Sequence, residues 1–373
     1  MSTASFRREV ERLGIRFITG VPDSLLKGFS QEVEMNFSGI HLPAPNEGTA
    51  VGLALGHFLA KRQVPLIYMQ NSGIGNALNP LISLASQEVF QIPLILLVGW
   101  RGEISADGYQ LADEPQHVLQ GKVTRELLSA SSIPFEIAND GDECVELVKR
   151  LHDKATSETR PVALVVRKGI LDMEVSNSPQ RHQKNLPTRA SYIDFLANFL
   201  GSDVAVIATT GKISRELYVS SSKNDARPEL LVVGGMGHAS AIAVGVAASG
   251  IGKKVVCLDG DGAFLMHMGA GFLAATQADL IHIVLNNGCH ESVGGQPTVA
   301  AGRALVGLAK EFGYSVCESV ISVSELEAVI SRAVRNKCST FIEIHCGVEE
   351  DSSLPRPRQT PLANSRQFMG LLS

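Results

Sequence analysis

LDGDGAFLMHMGAGFLAATQADLIHIVLNNG, residues 258–288, contains two polar turns, each at the end of an apolar run. Asp261 stands between two glycines after the first run, and Asn286 and Asn287 follow the second run. The 25 residues between Asp261 and Asn287 suffice for one helix and one short strand, which together make a single β-α-β step. Because parallel strands in such a step end at the same edge of a sheet, we expect the two side chains to lie close together. A carboxylate and a carboxamide are oxygen ligands suited to Mg²⁺, and glycine lets a phosphate approach the backbone. The stretch therefore predicts a Mg²⁺–diphosphate site.

The same alternation of strand and helix patterns extends over the whole chain. Apolar runs with little internal alternation, such as PLILLVGW (93–100), are separated by helical patterns such as DECVELVKRLHDKA (142–155). Strands of this kind are typical of parallel sheets that helices cover on both faces. We therefore predict an α/β protein with two doubly wound parallel-sheet domains, in which the second half of the chain repeats the pattern of the first.

The boundary between the halves is marked by EVSNSPQRHQKNLPTR, residues 174–189, which is polar and has no periodicity. We interpret this segment as a linker between a first domain, residues 1–173, and a second domain, residues 190–348. The charged, proline-rich tail, residues 349–373, is expected to be loose.

Bulk properties exclude several classes of protein. The formal net charge is −5 and lysine and arginine form no basic stripe, so a nucleic acid is not expected as a partner. No apolar run approaches the roughly 20 residues that span a bilayer, so no membrane association is expected. The N-terminal MSTASFRREVERLG is read as a capped helix and not as a signal peptide. Six cysteines without a CxxC pair are typical of reduced thiols in a cytoplasmic protein.

Unusual residues stand at the predicted carboxyl ends of strands, where open α/β sheets bind ligands. They are Asp23, Glu47, Ser72, Gly73, Trp100, Arg101, Thr209, Thr210, Gly211, the turn 234–237, Asp261 and Asn287. Turn formation explains many of the glycines, but it does not explain Glu47, Asp261 and Asn287.

GDG followed by 23 residues and NN resembles the thiamin-diphosphate-binding motif. The resemblance implies that Asp261, the side chain of Asn287 and the backbone carbonyl of Cys289 are the ligands of Mg²⁺. The structural alternative is an aspartate that caps a helix and an asparagine in a turn.

Two further segments are similar to this enzyme family. PNEGTAVGLALG resembles the pyrimidine-binding domain, and the resemblance implies that Glu47 hydrogen-bonds the pyrimidine N1′ of the cofactor. GGMGHASAIAVG resembles the diphosphate-binding domain, with the Gly234 carbonyl accepting from the 4′-amino group and Met236 supporting the bent cofactor. By the same resemblance the cofactor-binding residues are Thr210, Gly211, Gly234, Met236, His238, Gly260, Gly262 and Ala263, and His290 is a weaker candidate.

The chain lacks the middle domain of roughly 150 residues that the long decarboxylases of this family insert between the two halves. It therefore resembles the short 2-keto acid decarboxylases, which act on phosphonopyruvate or sulfopyruvate. GVPDSLL, NSGIGNALNPL, GWRGE, DEPQH and NNGCHESVGGQPT are most similar to the phosphonopyruvate enzymes. The resemblance implies decarboxylation of phosphonopyruvate to phosphonoacetaldehyde and CO₂ in phosphonate biosynthesis, by a homodimer or higher homo-oligomer with active sites between chains. Sulfopyruvate decarboxylation is the alternative.

After CO₂ leaves, the product carbon has to be protonated, and Asp23 and His117 are the candidates beside the catalytic Glu47. Asp23 alternatively caps the helix SLLKGF, and His117 alternatively marks the end of a helix. Substrate contacts are assigned to Ser24, Ser72, Gly73 and Arg101, with Lys122 and Arg125 as further cations for a distal anion.

The sequence disfavours two competing classes of protein. A nucleotide-binding oxidoreductase is disfavoured because GGMGHAS lacks the third glycine of G-x-G-x-x-G and GIGKKV lacks the P-loop spacing. A non-catalytic paralogue is disfavoured because Glu47, Asp261 and Asn287 are all present.

Overall fold

The computed structural model describes residues 3–105, 107–171, 186–221, 226–348 and 354–372, which form two compact units. The first unit comprises the described residues up to 171 together with residues 290–296, and the second comprises the other described residues. The predicted linker lies outside the described residues from 174 to 185.

The first unit alternates helices and strands as its apolar pattern predicts. Its elements in chain order are α1 (Thr3–Arg12), β1 (Phe17–Gly20), α2 (Lys27–Asn36), β2 (Ile40–Pro43), α3 (Glu47–Lys61), β3 (Leu66–Gln70), α4 (Ile74–Pro80), β4 (Leu94–Gly99), α5 (Pro115–Ala130), β5 (Phe135–Ala138), α6 (Gly141–Glu158) and β6 (Pro161–Val166). A 3₁₀ turn over Asn71–Gly73 precedes α4, and a 3₁₀ turn over Glu291–Val293 also belongs to this unit.

The second unit repeats this alternation. Its elements are α7 (Arg189–Phe199), β7 (Val204–Ala208), α8 (Lys212–Ser220), β8 (Glu229–Leu231), α9 (Ala239–Ala248), β9 (Lys254–Gly260), α10 (Asp261–Met266), α11 (Ala270–Ala275), β10 (Leu280–Asn286), α12 (Val306–Phe312), β11 (Val316–Val320), α13 (Val323–Ala333), β12 (Thr340–His345) and α14 (Pro361–Leu372).

Each unit is built on a six-stranded sheet in which every pairing is parallel. The strand order is β2-β1-β3-β4-β6-β5 in the first unit and β8-β7-β9-β10-β12-β11 in the second. The two orders are identical when the strands of the second unit are counted from its own first strand. The predicted α/β class with two doubly wound sheets is therefore confirmed. The chain order reverses between β1 and β3 and between β7 and β9, and open α/β sheets bind ligands at such switch points.

The central strands are apolar along their whole length because both faces of each sheet are covered. All six residues of β4 and all seven of β10 are buried. In the first unit, one face packs Leu97 against Phe6 and Phe29 in one cluster, and the other face contributes Leu96 to a second cluster with Leu128. Burial on both faces removes the polar alternation that a half-exposed strand would show.

The structure differs from the predicted elements in three places. The pattern predicts only a helix end at His117 and not the whole of α5, because the buried face of α5 consists of His117, Gly121, Thr124 and Leu128 and so lacks apolar periodicity. The single helix expected after Asp261 is two short helices, because the chain leaves helical geometry at His267 (φ −134°, ψ 46°). The tail was expected to be loose, yet it contains α14, which buries Asn364 and Phe368.

No helix among the described residues combines the length and the apolarity that crossing a membrane requires.

Candidate active site

The predicted metal ligand Asp261 follows directly after β9, at the edge of the second sheet where β10 also ends. The register pairs Gly260 with Leu285, so the turn after β9 lies beside the turn after β10. The side chain of Asp261 is 3% exposed, and burial raises its pKa to about 6 although the Thr298 hydroxyl donates a hydrogen bond of 2.5 Å to Oδ2. A buried carboxylate gains most from a nearby cation, so this position fits a divalent metal ion.

The two asparagines after β10 have different surroundings. Asn286 is 6% exposed and its amide donates to Glu343 Oε1 at 2.8 Å, so its side chain supports the sheet edge. Asn287 is half-buried, and its Oδ1 accepts from the backbone N–H of Cys289 at 3.1 Å. An amide oxygen is an oxygen ligand of the kind that Mg²⁺ prefers, so the residue type at this position fits the predicted metal site. The antiparallel bridge between Cys289 and Pro297 holds the backbone of the same loop.

Glycines shape the turns that the resemblance assigns to the diphosphate. Gly211 precedes α8 with φ of 99°, in the left-handed region that favours glycine. Gly237 (φ 85°) also has a steric requirement, since a Cβ there would lie 2.8 Å from the His267 ring and 3.0 Å from Met266 Cβ. Glycine at this position therefore lets the turn before α9 pack directly against the His267 and Met266 side chains. Met236 is half-buried in this turn, and His238 Nδ1 lies 3.0 Å from the Gly235 carbonyl oxygen.

Glu47 is the first residue of α3 in the first unit. The Asn46 side chain caps the helix by accepting from Thr49 N at 2.8 Å, which places Glu47 at the helix N-terminus. The Glu47 carboxylate is 6% exposed, and Asn76 Nδ2 donates to its Oε2 at 2.9 Å. A Cβ at Gly73 would lie 2.5 Å from Glu47 Oε1, so the bare backbone of Gly73 makes the space for this carboxylate.

Asp23 lies beyond the end of β1 and is 1% exposed. Burial raises its pKa to about 6, while the positive charge of Arg101 acts in the opposite direction. Gly99 leaves the room for it, since a Cβ there would overlap Asp23 Oδ2. The helix α2 begins at Lys27 with Leu26 at its N-cap, so Asp23 is not the N-cap residue of this helix. Its Oδ2 accepts from Leu25 N at 3.3 Å and its Oδ1 has no hydrogen-bond partner among the described residues, so Oδ1 is the atom that can hold or release a proton near neutral pH.

Arg101 is part of an ion pair rather than an isolated cation. Its Nε and Nη2 donate to the two carboxylate oxygens of Asp113 at 2.8 and 2.5 Å, and Nη1 donates to Ser24 Oγ at 3.1 Å. Although burial works the other way, the Arg101 hydrogen bond holds the pKa of Asp113 well below its usual range. Asp113 therefore neutralises most of the charge that a substrate anion would meet at Arg101. This geometry favours a role for Arg101 in positioning Ser24 and the segment that carries Asp113.

His117 lies in the first turn of α5 and is 7% exposed. Burial and the nearby charge of Arg101 lower its pKa, so the neutral imidazole predominates at pH 7. Its Nδ1 has no hydrogen-bond partner among the described residues. Ser72 accepts at 2.7 Å from Gln70, whereas Lys122 and Arg125 lie on the exposed face of α5.

The sequence analysis missed four residues that hold these side chains. They are Asn76, which donates to Glu47; Thr298, which donates to Asp261; Asp113, which binds Arg101; and Asn71, which exchanges hydrogen bonds of 3.0 and 3.1 Å with the Arg101 backbone. Asn71 and Asn76 lie in NSGIGNALNPL and Thr298 ends NNGCHESVGGQPT, but the motifs do not indicate their partners, because each contact joins segments that are separate in the sequence. Asp113 stands in the DEPQH segment that was noted without a role.

The predicted residues separate by unit. The first unit contains the catalytic and substrate residues and the weaker candidate His290, which are Asp23, Ser24, Glu47, Ser72, Gly73, Arg101, His117 and His290. The other residues assigned to the metal and the diphosphate belong to the second unit.

The comparisons with known proteins agree with this division. Residues 3–127 match the family described as thiamine pyrophosphate enzyme, N-terminal TPP binding domain, and residues 210–344 match the corresponding C-terminal TPP binding domain. Phosphonopyruvate decarboxylase of Streptomyces viridochromogenes is 30% identical, over 97% of this chain and 92% of the relative. The enzyme of the same name from Streptomyces hygroscopicus is also 30% identical, over 95% and 90%. Sulfopyruvate decarboxylase of Methanosarcina acetivorans is 29% identical, over 78% and 77%. The chain therefore belongs to the thiamine pyrophosphate enzymes, in the family that includes the phosphonopyruvate decarboxylases.

Proposed function

We propose that the protein catalyses the thiamin-diphosphate- and Mg²⁺-dependent decarboxylation of phosphonopyruvate to phosphonoacetaldehyde and CO₂. The observation that carries this proposal is similarity to two phosphonopyruvate decarboxylases along nearly the whole of both chains. The matches to both thiamin-binding domains favour this cofactor over the dinucleotide of the oxidoreductase alternative.

In this proposal the second unit holds the cofactor through Mg²⁺. Asp261, the Asn287 side chain and the Cys289 carbonyl bind the metal ion. Several turns are proposed to contact the diphosphate and the adjoining rings of the cofactor, with Met236 and His238 beside them. These turns contain Thr210, Gly211, Gly234, Gly260, Gly262 and Ala263. The raised pKa of the buried Asp261 supports the assignment, because a cation would offset the cost of its buried charge.

Glu47 activates the cofactor by hydrogen-bonding the pyrimidine N1′. Asn76 orients one oxygen of its carboxylate, and Gly73 provides the space for the other. Thiamin diphosphate, when bound, supplies an electron sink for the carbanion that loss of CO₂ leaves. Glu47 is therefore expected to affect turnover far more than folding.

Asp23 and His117 handle the proton that the product carbon needs after decarboxylation. The carboxyl of Asp23, with its pKa raised to about 6, carries a proton in a useful fraction of molecules near neutral pH. The positive charge of Arg101 acts on the pKa of both Asp23 and His117, so both groups lie near this one side chain. Ser24 and Ser72 stand at neighbouring strand ends as hydroxyl donors to the substrate.

The substrate can be tested with a panel of 2-keto acids in the presence of Mg²⁺ and thiamin diphosphate. Phosphonopyruvate carries one more distal negative charge than sulfopyruvate at neutral pH, and an unmade charged hydrogen bond costs about 1.5–3 kcal/mol. We expect kcat/KM for phosphonopyruvate to exceed that for sulfopyruvate by roughly 10- to 100-fold, and that for pyruvate by more. Equal or higher kcat/KM with sulfopyruvate would instead support the second candidate, which the similarity to the Methanosarcina acetivorans enzyme favours.

The proposal includes a cytoplasmic homodimer or higher homo-oligomer that acts in phosphonate biosynthesis. In the assembly, Glu47 of one chain and Asp261 of another serve one cofactor. The resemblance to the thiamin family supports this arrangement, and mixing of inactive variants tests it, as described in the Discussion.

A further inference from the structure

A chain of three buried polar side chains lies behind the turn that carries Asp261. His282 on β10 is fully buried, and its Nδ1 lies 2.9 Å from the hydroxyl of Tyr314, which follows α12. Its Nε2 lies 3.5 Å from Oδ2 of Asp259, also fully buried, on the neighbouring strand β9. The other oxygen of Asp259 accepts from the backbone N–H of Gly260 at 3.1 Å. These three side chains therefore connect Tyr314 to Gly260, the first residue of the turn that carries Asp261.

Protons can be placed on Tyr314 and His282 so that each donor faces an acceptor. The Tyr314 O–H donates to His282 Nδ1, which leaves a proton on Nε2 that faces the Asp259 carboxylate. Neither Nε2 nor Oδ2 has another hydrogen-bond partner among the described residues. Their separation of 3.5 Å exceeds the usual 2.7–3.2 Å of a hydrogen bond, so in this structure the two atoms face each other as a close pair of opposite polarity. Unpaired groups buried this deeply are costly, so the pairing is strongly favoured.

His282 also contacts the helical side of the same turn. Its ring meets the ring of Phe264 edge to face, with centroids 5.5 Å apart, and Phe264 stands three residues after Asp261 on α10. Phe341, opposite His282 on β12, packs against both rings. One imidazole thus touches the residue two before Asp261 and the residue three after it.

We propose that His282 and Tyr314 are positioning residues that hold the Gly260–Gly262 turn in the conformation that binds Mg²⁺. Asp259 transmits their effect through its hydrogen bond to the Gly260 amide, and Phe264 fixes the other end of the turn. None of the three polar residues is among those assigned to the cofactor or the metal ion in the proposed function. The inference rests on the proposed assignment of Asp261 as a metal ligand.

The test compares four variants of the full-length protein. His282→Phe keeps a ring but loses the hydrogen bond to Tyr314 and the N–H that faces Asp259, and His282→Gln keeps an N–H donor at the reach of Nε2. Tyr314→Phe removes one hydroxyl at the far end of the chain. Tyr192→Phe is its matched control, because Tyr192 is fully buried in the same unit and its hydroxyl has no hydrogen-bond partner among the described residues.

The measurements are calorimetric titration with Mg²⁺ in the presence of thiamin diphosphate, thermal unfolding without ligands, and amide hydrogen exchange of residues 260–262. Loss of a group that orients a metal ligand typically costs 10- to 100-fold in metal affinity. We expect a loss of about that size for His282→Phe, partial recovery for His282→Gln and a loss of a few fold for Tyr314→Phe. Amide hydrogen exchange at residues 260–262 should be faster in each variant that loses Mg²⁺ affinity, and fastest in His282→Phe. Tyr192→Phe should match the wild type in Mg²⁺ affinity and in exchange.

Three results would overturn the inference. The first is a folded His282→Phe protein whose Mg²⁺ affinity is within twofold of wild type. The second is an affinity loss in Tyr192→Phe equal to that in Tyr314→Phe, which would indicate general destabilisation. The third is a tightly held metal ion that the His282→Phe change removes, because Cys257, Asp259 and His282 would then be ligands of a separate ion. Failure of the proposed function is distinguishable, since it would leave Mg²⁺-dependent cofactor binding intact in Asp261→Ala.

Discussion

Replacing Gly73 with alanine should displace the Glu47 carboxylate while leaving the fold largely intact. A Cβ at this position would lie 2.5 Å from Glu47 Oε1, 2.6 Å from Cγ and 2.8 Å from Cδ. Since such atoms prefer separations of about 3.5 Å, the carboxylate has to move by about 1 Å. The backbone at Gly73 (φ −69°, ψ −18°) accepts alanine without strain, so the movement falls on the flexible end of the glutamate side chain.

A misplacement of about 1 Å at a reacting group can reduce the rate by roughly 10²-fold. We therefore expect kcat for Gly73→Ala to fall by about that factor, with a loss of about 1–3 kcal/mol in the free energy of unfolding from overpacking. The assays are steady-state kinetics, exchange of the cofactor C2 proton followed by NMR, and urea unfolding of the protein without ligands.

Gly75→Ala is the matched control for this substitution. Gly75 lies two residues further on, in α4, and a Cβ there would have no atom within 4 Å. Its kinetics should equal those of the wild type. A wild-type kcat and C2-exchange rate in Gly73→Ala would refute the argument that this glycine makes space for Glu47. An increase in KM alone would support a substrate contact at Gly73 instead.

Three further predictions concern the cofactor, the assembly and the proton donor. Asp261→Ala should abolish Mg²⁺-dependent binding of thiamin diphosphate, and unchanged affinity in calorimetry would contradict the metal assignment. The Glu47→Gln and Asp261→Ala variants should each be inactive alone, and mixing their subunits should restore some activity. No recovery after confirmed subunit exchange would indicate active sites within single chains. For Asp23, burial raises the folded-state pKa to about 6 from 3.8, so the folded protein binds more protons than the unfolded chain between these values and its stability falls as pH rises through them. Asp23→Asn should therefore stabilise the ligand-free protein at pH 7–8 by about 3 kcal/mol while lowering turnover, and urea unfolding at pH 4 and pH 8 checks the sign.

Much of the fold is a local property of the chain. Both halves show buried apolar strands separated by helices, and this pattern alone predicted two doubly wound parallel sheets. The tail shows the limit of the same reasoning. Pro361–Leu372 was expected to be loose from its composition, but a helix forms there because Asn364 donates to the Glu229 carbonyl oxygen and accepts from Leu231 N. That partner strand is more than 100 residues away in the chain, so no local signal could show it.

The candidate site divides in the same way. Glu47, Asp261 and Asn287 were identified from the sequence because a charged or amide side chain at the end of an apolar strand has no structural need to be there. The surroundings of these residues depend on tertiary structure. Asp113 binds Arg101, Gly73 makes space for Glu47, and Thr298 donates to Asp261. The contacts of Gly73 with Glu47 and of Thr298 with Asp261 join segments that are separate in sequence and form only when the strands pair in their final order, and the Asp113–Arg101 pair depends on how the long connection between β4 and α5 folds back on itself. The sequence by itself thus determined the fold class and the chemical groups of the site, whereas the tertiary structure decided which charges are neutralised, which carboxylates are buried and how each one is oriented.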